Sequence, residues 1–340
     1  MSAFLAISAV AFATSAVPPR WAQGVRDRDP ATELSKADRK WLEVCRETPP
    51  KQRAFPVLEQ VEWTESADGR PFPRLPSDGN LPEGHIAFTF DDGPDRRATP
   101  HIRSILAYCG IRAHFFIVGR RFDEPQGAYA TEEILGERDD GHVLGSHSYA
   151  HPSFAKQTIR PHLQERELDR GMARLLDISD VPLLIEGREN PPALLFRLPY
   201  GDGVYDSNLL ALIWGRGLRR LVHVHWNLTS GDTEDIEPKR PGFQGRDAAR
   251  ILKRVWRSLN FSRRDGETLG HGILAMHDTN YRTGLMLPRL INSLVTAGYT
   301  FATFDAPPPA RAPIDAASAV ERRHPEGWAP PAEPVANSVP

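Results

Sequence analysis

Ile86-Ala87-Phe88-Thr89-Phe90-Asp91-Asp92-Gly93-Pro94 is the stretch on which the reading of this chain turns. Ile86 to Phe90 is a short apolar and β-branched run of the kind that forms a buried strand. It stops abruptly on two adjacent carboxylates, Asp91 and Asp92. Desolvating such a pair at a strand end is costly unless a cation or hydrogen bonds hold it. Taken alone, however, Asp-Asp-Gly-Pro is more often a solvated turn.

Working outward, six further runs have the same character: Ala113 to Val118, Val143 to Ser146, Leu194 to Leu198, Arg220 to Trp226, Ile273 to His277 and Thr300 to Phe304. Between them lie segments with apolar residues three and four apart, the helical period. Leu168, Met172, Leu175 and Leu176 make one such face; Ile251, Leu252, Val255, Trp256 and Leu259 a second; Leu287, Leu290, Ile291 and Leu294 a third. Strands alternating with helices predict an α/β fold with a parallel sheet. Seven units, with no dinucleotide-type glycine loop after the first strand, point to a distorted (β/α)7 barrel rather than a doubly wound sheet.

The polar residues that interrupt these strands fall in one kind of place. The third strand runs into His147-Ser148-Tyr149-Ala150-His151-Pro152, where histidines four apart would share a face of a helical turn and could reach one ion. The fourth delivers Arg197-Leu198-Pro199-Tyr200-Gly201-Asp202, and the sixth ends at His277. Each alone has a bland reading as a turn or a satisfied core residue. Together, Asp91, Asp92, His147, His151, Arg197, Tyr200 and His277 all sit at or just beyond the C-terminal ends of expected parallel strands, the rim where barrel enzymes assemble their sites.

Composition limits the alternatives. The chain has 340 residues, 40% hydrophobic, with a formal charge of -2 from 42 basic and 44 acidic side chains, so it lacks the positive field that binding to nucleic acid requires. Residues 1–16 are small and apolar and end in Thr14-Ser15-Ala16, like a signal peptide without its basic start; the run is short for a membrane span, leaving a cleaved leader or an anchor. Residues 17–84 read as a proline- and charge-rich extension packed on the domain, with an amphipathic helix around Glu33 to Arg46. Residues 85–305 carry the seven strand-like runs and read as the main domain, and the alanine- and proline-rich residues 306–340 read as a disordered tail. Cys45 and Cys109 lie outside any zinc spacing; they are either two buried thiols or, in an exported protein, one disulfide.

From about His85 to Asp305 the sequence resembles the polysaccharide deacetylases of carbohydrate esterase family four, the NodB-homology domain. The resemblance is carried by Thr89-Phe90-Asp91-Asp92-Gly93, by His147 and His151, and by Arg197-x-Pro199-Tyr200. It implies that Asp92, His147 and His151 hold a divalent metal, most simply zinc, with cobalt or nickel able to occupy the same ligands. It implies that Asp91 is the general base, oriented by Arg197, that the backbone N–H of Tyr200 helps stabilise the oxyanion, and that His277 protonates the leaving amine. The activity implied is hydrolysis of N-acetyl groups on an amino-sugar polysaccharide by a secreted, periplasmic or envelope-associated protein.

The match is incomplete in its fourth and fifth motifs. Asp232 is present, but Thr229 stands where the family has an aspartate and Thr233 where it has a tryptophan, and Ala275 replaces a leucine before His277. The implied consequence is loss of the carboxylate that tunes His277 and of one wall of the acetyl pocket. His223 and His225 alternate with valines and so share one face, as structural residues or as substrate contacts. The segment Gly231 to Gly245 reads as a surface loop able to shape a substrate groove. Three other readings remain: an O-acetyl polysaccharide esterase, a hydrolase of small cyclic amides, and an inactive carbohydrate-binding protein.

Overall fold

A computed structural model describes residues 34–123, 125, 127–154, 161–179, 194–215, 221–233 and 244–304. The expected leader in residues 1–16, most of the 231–245 loop and the tail from 306 onward lie outside the described residues. Among the described residues no helix is long and apolar enough to cross a membrane.

In chain order the elements are α1 (Lys36–Leu42), α2 (Val44–Glu47), β1 (Lys51–Ala54), β2 (Glu62–Glu65), β3 (Pro71–Arg74), β4 (His85–Asp91), α3 (Ala98–Cys109), β5 (His114–Ile117), α4 (Gly127–Asp139) and β6 (Val143–Ser146). They continue with α5 (Pro161–Ser179), β7 (Leu194–Phe196), α6 (Ser207–Trp214), β8 (Leu221–His223), β9 (Leu228–Thr229), α7 (Gln244–Phe261), β10 (Gly272–His277), α8 (Tyr281–Thr296) and β11 (Thr300–Thr303). All seven expected strands are present. Nine strands form one sheet in which every pairing is parallel, as the alternation of strand and helix demands.

β4 is the centre of this sheet. β10 runs beside it for six residues, from Gly272 opposite Ile86 to His277 opposite Asp91. On its other side β11 pairs with its start at His85 and Ile86, and β5 pairs with its end at Thr89 to Asp91. From there the sheet curls through β6 and β7 to β8, while β9 flanks β10. Among the described residues β8 and β9 do not pair, so the barrel is open there: the distorted barrel expected, with a gap on one side.

Alternation along the strands sorts the core. Ile86, Phe88 and Phe90 of β4 pack outward against α3, α7 and α8, in a cluster with Ile102, Ile105, Val255, Leu287 and Leu290. Ala87 points the other way, joining Phe116, Val143, Leu195, Val222, Val224, Ile273 and Ala302 from six other strands or their extensions, which fill the barrel interior. A third cluster buries Leu168, Met172 and Leu176 of α5 with Leu209, Leu210 and Ile213 of α6 over β7 and β8.

The extension is more closely joined to the sheet than its composition suggests. β1 adds a parallel strand beside β11, with Lys51 to Ala54 facing Thr300 to Thr303. Its sequence Lys-Gln-Arg-Ala carries no apolar alternation, because an edge strand needs only backbone pairing. The expected amphipathic helix is two pieces, α1 and α2, broken at Glu43; Ser35 caps α1 by accepting from Asp38 N at 3.1 Å. Cys45 of α2 and Cys109 of α3 form a disulfide across 64 residues. Closing a loop of that size removes enough unfolded-state entropy to contribute about 4 kcal/mol. β2 and β3 form an antiparallel hairpin in which β2 is exposed and β3 buries Phe72 in the third cluster.

Candidate active site

Asp92 follows β4 in a left-handed backbone conformation, φ 75°, which turns its side chain away from that of Asp91. The turn depends on Gly93, since a Cβ there would lie 2.0 Å from Oδ2 of Asp278. Across the sheet, His147 and His151 follow β6. His147 Nε2 lies 3.5 Å and His151 Nε2 3.1 Å from Asp92 Oδ1. One ligand atom from each of the three falls within 4.8 Å of the others, so this trio could hold a metal ion. Among the described residues it is the only group of three or more such side chains that does so.

The donor set fits a divalent cation on its own terms. Asp92 Oδ1 is buried without a hydrogen-bond partner that meets ordinary geometry, the kind of orphan that a cation would satisfy. His147 Nδ1 lies 2.8 Å from the carbonyl of Arg197, which assigns the proton to Nδ1 and leaves Nε2 as a lone pair facing Asp92. Burial pushes the His147 pKa down, keeping that ring neutral, as a ligand must be. Burial acts to raise the Asp92 carboxyl, but the neighbouring imidazoles, His151 first and then His147 and His277, outweigh it and hold Asp92 well below the usual carboxylate range.

Asp91 points into the barrel beside Arg197, whose side chain is fully buried. Arg197 Nη1 donates to Asp91 Oδ1 at 2.9 Å and to Thr89 Oγ1 at 2.6 Å, and Thr89 in turn donates to the carbonyl of Leu274. Its Nε donates to Val224 O and its Nη2 to His225 O, so the guanidinium spans the open edge where β8 leaves off. Phe116 and Trp226 pack on its faces at 4.3 and 5.4 Å. A lysine could not replace this five-donor fork.

His277 enters from β10, directly across from Asp91. Its Nδ1 lies 2.9 Å from Asp232 Oδ1, and its backbone N donates to Asp232 Oδ2 at 2.8 Å. Asp232 is itself buried and accepts from Ser230 Oγ and Thr283 Oγ1. Burial alone would lower the imidazole; the hydrogen bond to Asp232 and the charges of Asp232, Asp91 and Asp92 outweigh it and raise His277 to about 9. This corrects the expectation attached to Thr229. The carboxylate that tunes His277 is present, and it is Asp232. Thr229 Oγ1 accepts instead from Gly231 N, and Thr233 is exposed.

Tyr200 is exposed in a left-handed turn, φ 61°, and its ring packs edge-on over His151 at 4.6 Å. Among the described residues five non-glycines have positive φ, and Asp92, Ser148, His151 and Tyr200 are four of them. Strain of this kind persists where surrounding structure enforces it, and here it is confined almost entirely to one rim. The structure thus brings six of the seven singled-out side chains into one constellation and sets Tyr200 on its edge. Sequence reasoning overlooked Thr89, Ser230 and Thr283, whose hydroxyls fix Arg197 and Asp232; their small side chains carry no signal until the partners are in place.

A sequence profile of the family described as polysaccharide deacetylase matches residues 78–219. A peptidoglycan-N-acetylglucosamine deacetylase of Bacillus cereus is 38% identical over 165 residues, covering 43% of this chain and 69% of that protein. The peptidoglycan-N-acetylglucosamine deacetylase PgdA of Listeria monocytogenes is 27% identical over 238 residues, covering 68% of this chain; this chain spans 42% of that protein's length. Among solved structures, the chitin deacetylase of the fungus Colletotrichum lindemuthianum shares the fold, with a TM-score of 0.50 and 22% identity over 66% of this chain and 89% of that one. The chain belongs to the polysaccharide deacetylase family.

Proposed function

We propose that this chain removes acetyl groups from the amino sugars of an N-acetylated polysaccharide, releasing acetate and a free amine. The observation that carries this reading is the pairing register of β4 and β10. It sets an anion held by a guanidinium, Asp91–Arg197, against a cation held by a carboxylate, His277–Asp232, with Asp92, His147 and His151 beside them. Amide hydrolysis needs both a base for the attacking water and an acid for the leaving nitrogen, because an amine departs only when protonated.

Asp92, His147 and His151 would hold a divalent cation, zinc by ligand type, whose Lewis acidity sharpens water as a nucleophile and draws charge from the acetyl carbonyl. Asp91, fixed by Arg197, which Thr89 holds in turn, takes the proton of the attacking water. His277 keeps its proton up to about pH 9 and delivers it to the leaving nitrogen. Tyr200, beside His151, closes one side of the site, and its backbone N–H is the proposed donor to the oxyanion. The relatives are named for peptidoglycan and chitin, both of which carry N-acetylated amino sugars. The Cys45–Cys109 disulfide supports residence in an oxidising compartment, outside the cytoplasm.

The test is acetate release from N-acetylglucosamine oligomers and from peptidoglycan glycan strands, with protein loaded with zinc, cobalt or nickel and with chelated protein. Release from N-acetyl but not O-acetyl glycans, abolished by chelation and restored by metal, is expected. Release confined to O-acetyl esters, or unaffected by chelation, would overturn the reading.

A further inference from the structure

We propose that a second pocket, sharing a wall with the site and lined by Arg74, Ser77, Tyr205, His223 and His225, receives a carboxylate carried by the polymer. The inference rests on the polysaccharide reading above and adds a chemical requirement to it. Val222 and Val224 point into the barrel, which turns His223 and His225 to the outer face of the sheet, where the end of the β2–β3 hairpin covers them. Their rings lie 6.1 Å apart and nearly parallel.

His223 is 7% exposed, and among the described residues its Nε2 has no hydrogen-bond partner; His225 Nδ1 is buried and likewise has none there. Buried polar nitrogens are paired in all but a few cases; these two are closed off behind the pocket wall, so any guest is met by the other nitrogen of each ring. Burial pushes His223 well below the ordinary imidazole range and His225 to about 4, so both rings are neutral at physiological pH. That nitrogen offers an N–H or a lone pair, so the two rings together suit a carboxylate oxygen and a sugar hydroxyl. The single cation in the lining is the exposed Arg74. One positive charge matches a carboxylate better than a doubly charged phosphate, and the guanidinium fork matches carboxylate geometry.

The pocket is placed for a neighbouring sugar. Tyr205 lies five residues beyond Tyr200 and is 86% exposed, free to stack on a sugar ring. A Cβ on Gly201 would lie 2.9 Å from His225 Cε1, so His225 sits directly against the Tyr200 turn. Arg197, which holds Asp91, also donates to the carbonyl of His225 at 3.3 Å. Arg74 precedes the family-matched residues 78–219.

Two sugar carboxylates have the required chemistry: the lactyl ether of an N-acetylmuramic acid and the ring carboxylate of a uronic acid. The experiment compares peptide-free strands alternating N-acetylglucosamine with N-acetylmuramic acid, oligomers alternating N-acetylglucosamine with glucuronate, and the methylamide of each. Zinc-loaded full-length protein is expected to show a KM about tenfold lower for at least one carboxylate glycan than for its methylamide, the scale of one charged hydrogen bond. Which glycan shows it identifies the carboxylate. Arg74→Ala is expected to bring that ratio close to one, and Arg74→Lys to restore part of it. Calorimetric binding of the same glycans to chelated protein reads the ratio without turnover, so a failure of catalysis is told apart from a failure of the pocket. Equal affinity for carboxylate and methylamide glycans in the wild type, or an unchanged ratio in Arg74→Ala, would overturn the proposal.

Discussion

Two groups of buried acids make an instructive contrast. At the rim, Asp91, Asp92 and Asp232 each face a cation or an imidazole. Between α3, α4 and the end of β10, Glu137 and Asp278 are fully buried; among the described residues neither oxygen of Glu137 has a partner, and Asp278 accepts from Thr99 Oγ1 on Oδ2 but has none on Oδ1. Burial pushes Asp278 up to about 7, helped by the charge of Asp92, and raises Glu137 well above the carboxylate range, with the charge of Asp278 adding to it. The same desolvation thus gives opposite results, and the partner decides. Asp92 and Asp232, which face imidazoles, are held below the carboxylate range, whereas Glu137 and Asp278, which face no cation at hydrogen-bond distance, keep their protons to higher pH and cost stability.

The largest test of that contrast removes the rim's charges. Asp92→Ala or His151→Ala is expected to abolish both cation binding, measured by metal analysis of the purified protein, and acetate release. Asp91→Asn should retain the cation and lose about a thousandfold in kcat, the scale of general base catalysis. A near wild-type rate in Asp91→Asn would remove that residue from the mechanism.

Next in size is the pair at His277. Its folded pKa lies above the ordinary 6.5, so the stability it contributes is fully present below 6.5 and is lost as pH rises through about 9. Catalysis that needs the imidazolium should fall over the same upper range. Asp232→Asn is expected to move the alkaline limb of the pH–rate profile from near 9 toward 6.5. Thr229→Asp should move it by less than about half a unit, because the partner position is already filled. A larger shift from Thr229→Asp than from Asp232→Asn would reverse the assignment.

The smallest effect lies with the unpaired group. Because Glu137 keeps its proton in the folded chain, the unfolded state binds fewer protons above the ordinary carboxylate range, and stability falls as pH rises from there. Glu137→Gln should therefore unfold a few degrees higher than wild type at pH 8 and nearly together with it at pH 4, a difference of about 1 kcal/mol read by thermal melts. An equal offset at both pH values would mean that packing, not ionisation, is responsible.

Much of this was legible in the linear chain because buried parallel strands announce themselves. Ile86 to Phe90 and Ile273 to His277 are apolar runs ended by charge, and charge at a strand end marks the rim. β1 was illegible for the opposite reason: Lys-Gln-Arg-Ala is an edge strand held by backbone pairing with β11, which leaves no apolar pattern. The site split the same way. Asp92, His147 and His151 stand out at strand ends and are named as ligands by the family resemblance. The two histidines nevertheless lie on a non-helical loop, with Ser148 and His151 at positive φ, rather than on the helical turn their spacing suggests; the partner of His277 could not be named.

The order of strands and the seven polar residues at their ends were written in the sequence, since hydrophobic period and residue chemistry are local properties. Which carboxylate meets which cation was decided only by the tertiary structure. Asp232 and His277 are 45 residues apart and Arg197 and Asp91 are 106, and it is the pairing of β9 with β10 and the curl of the sheet from β4 through β5 and β6 to β7 that bring them within hydrogen-bond reach.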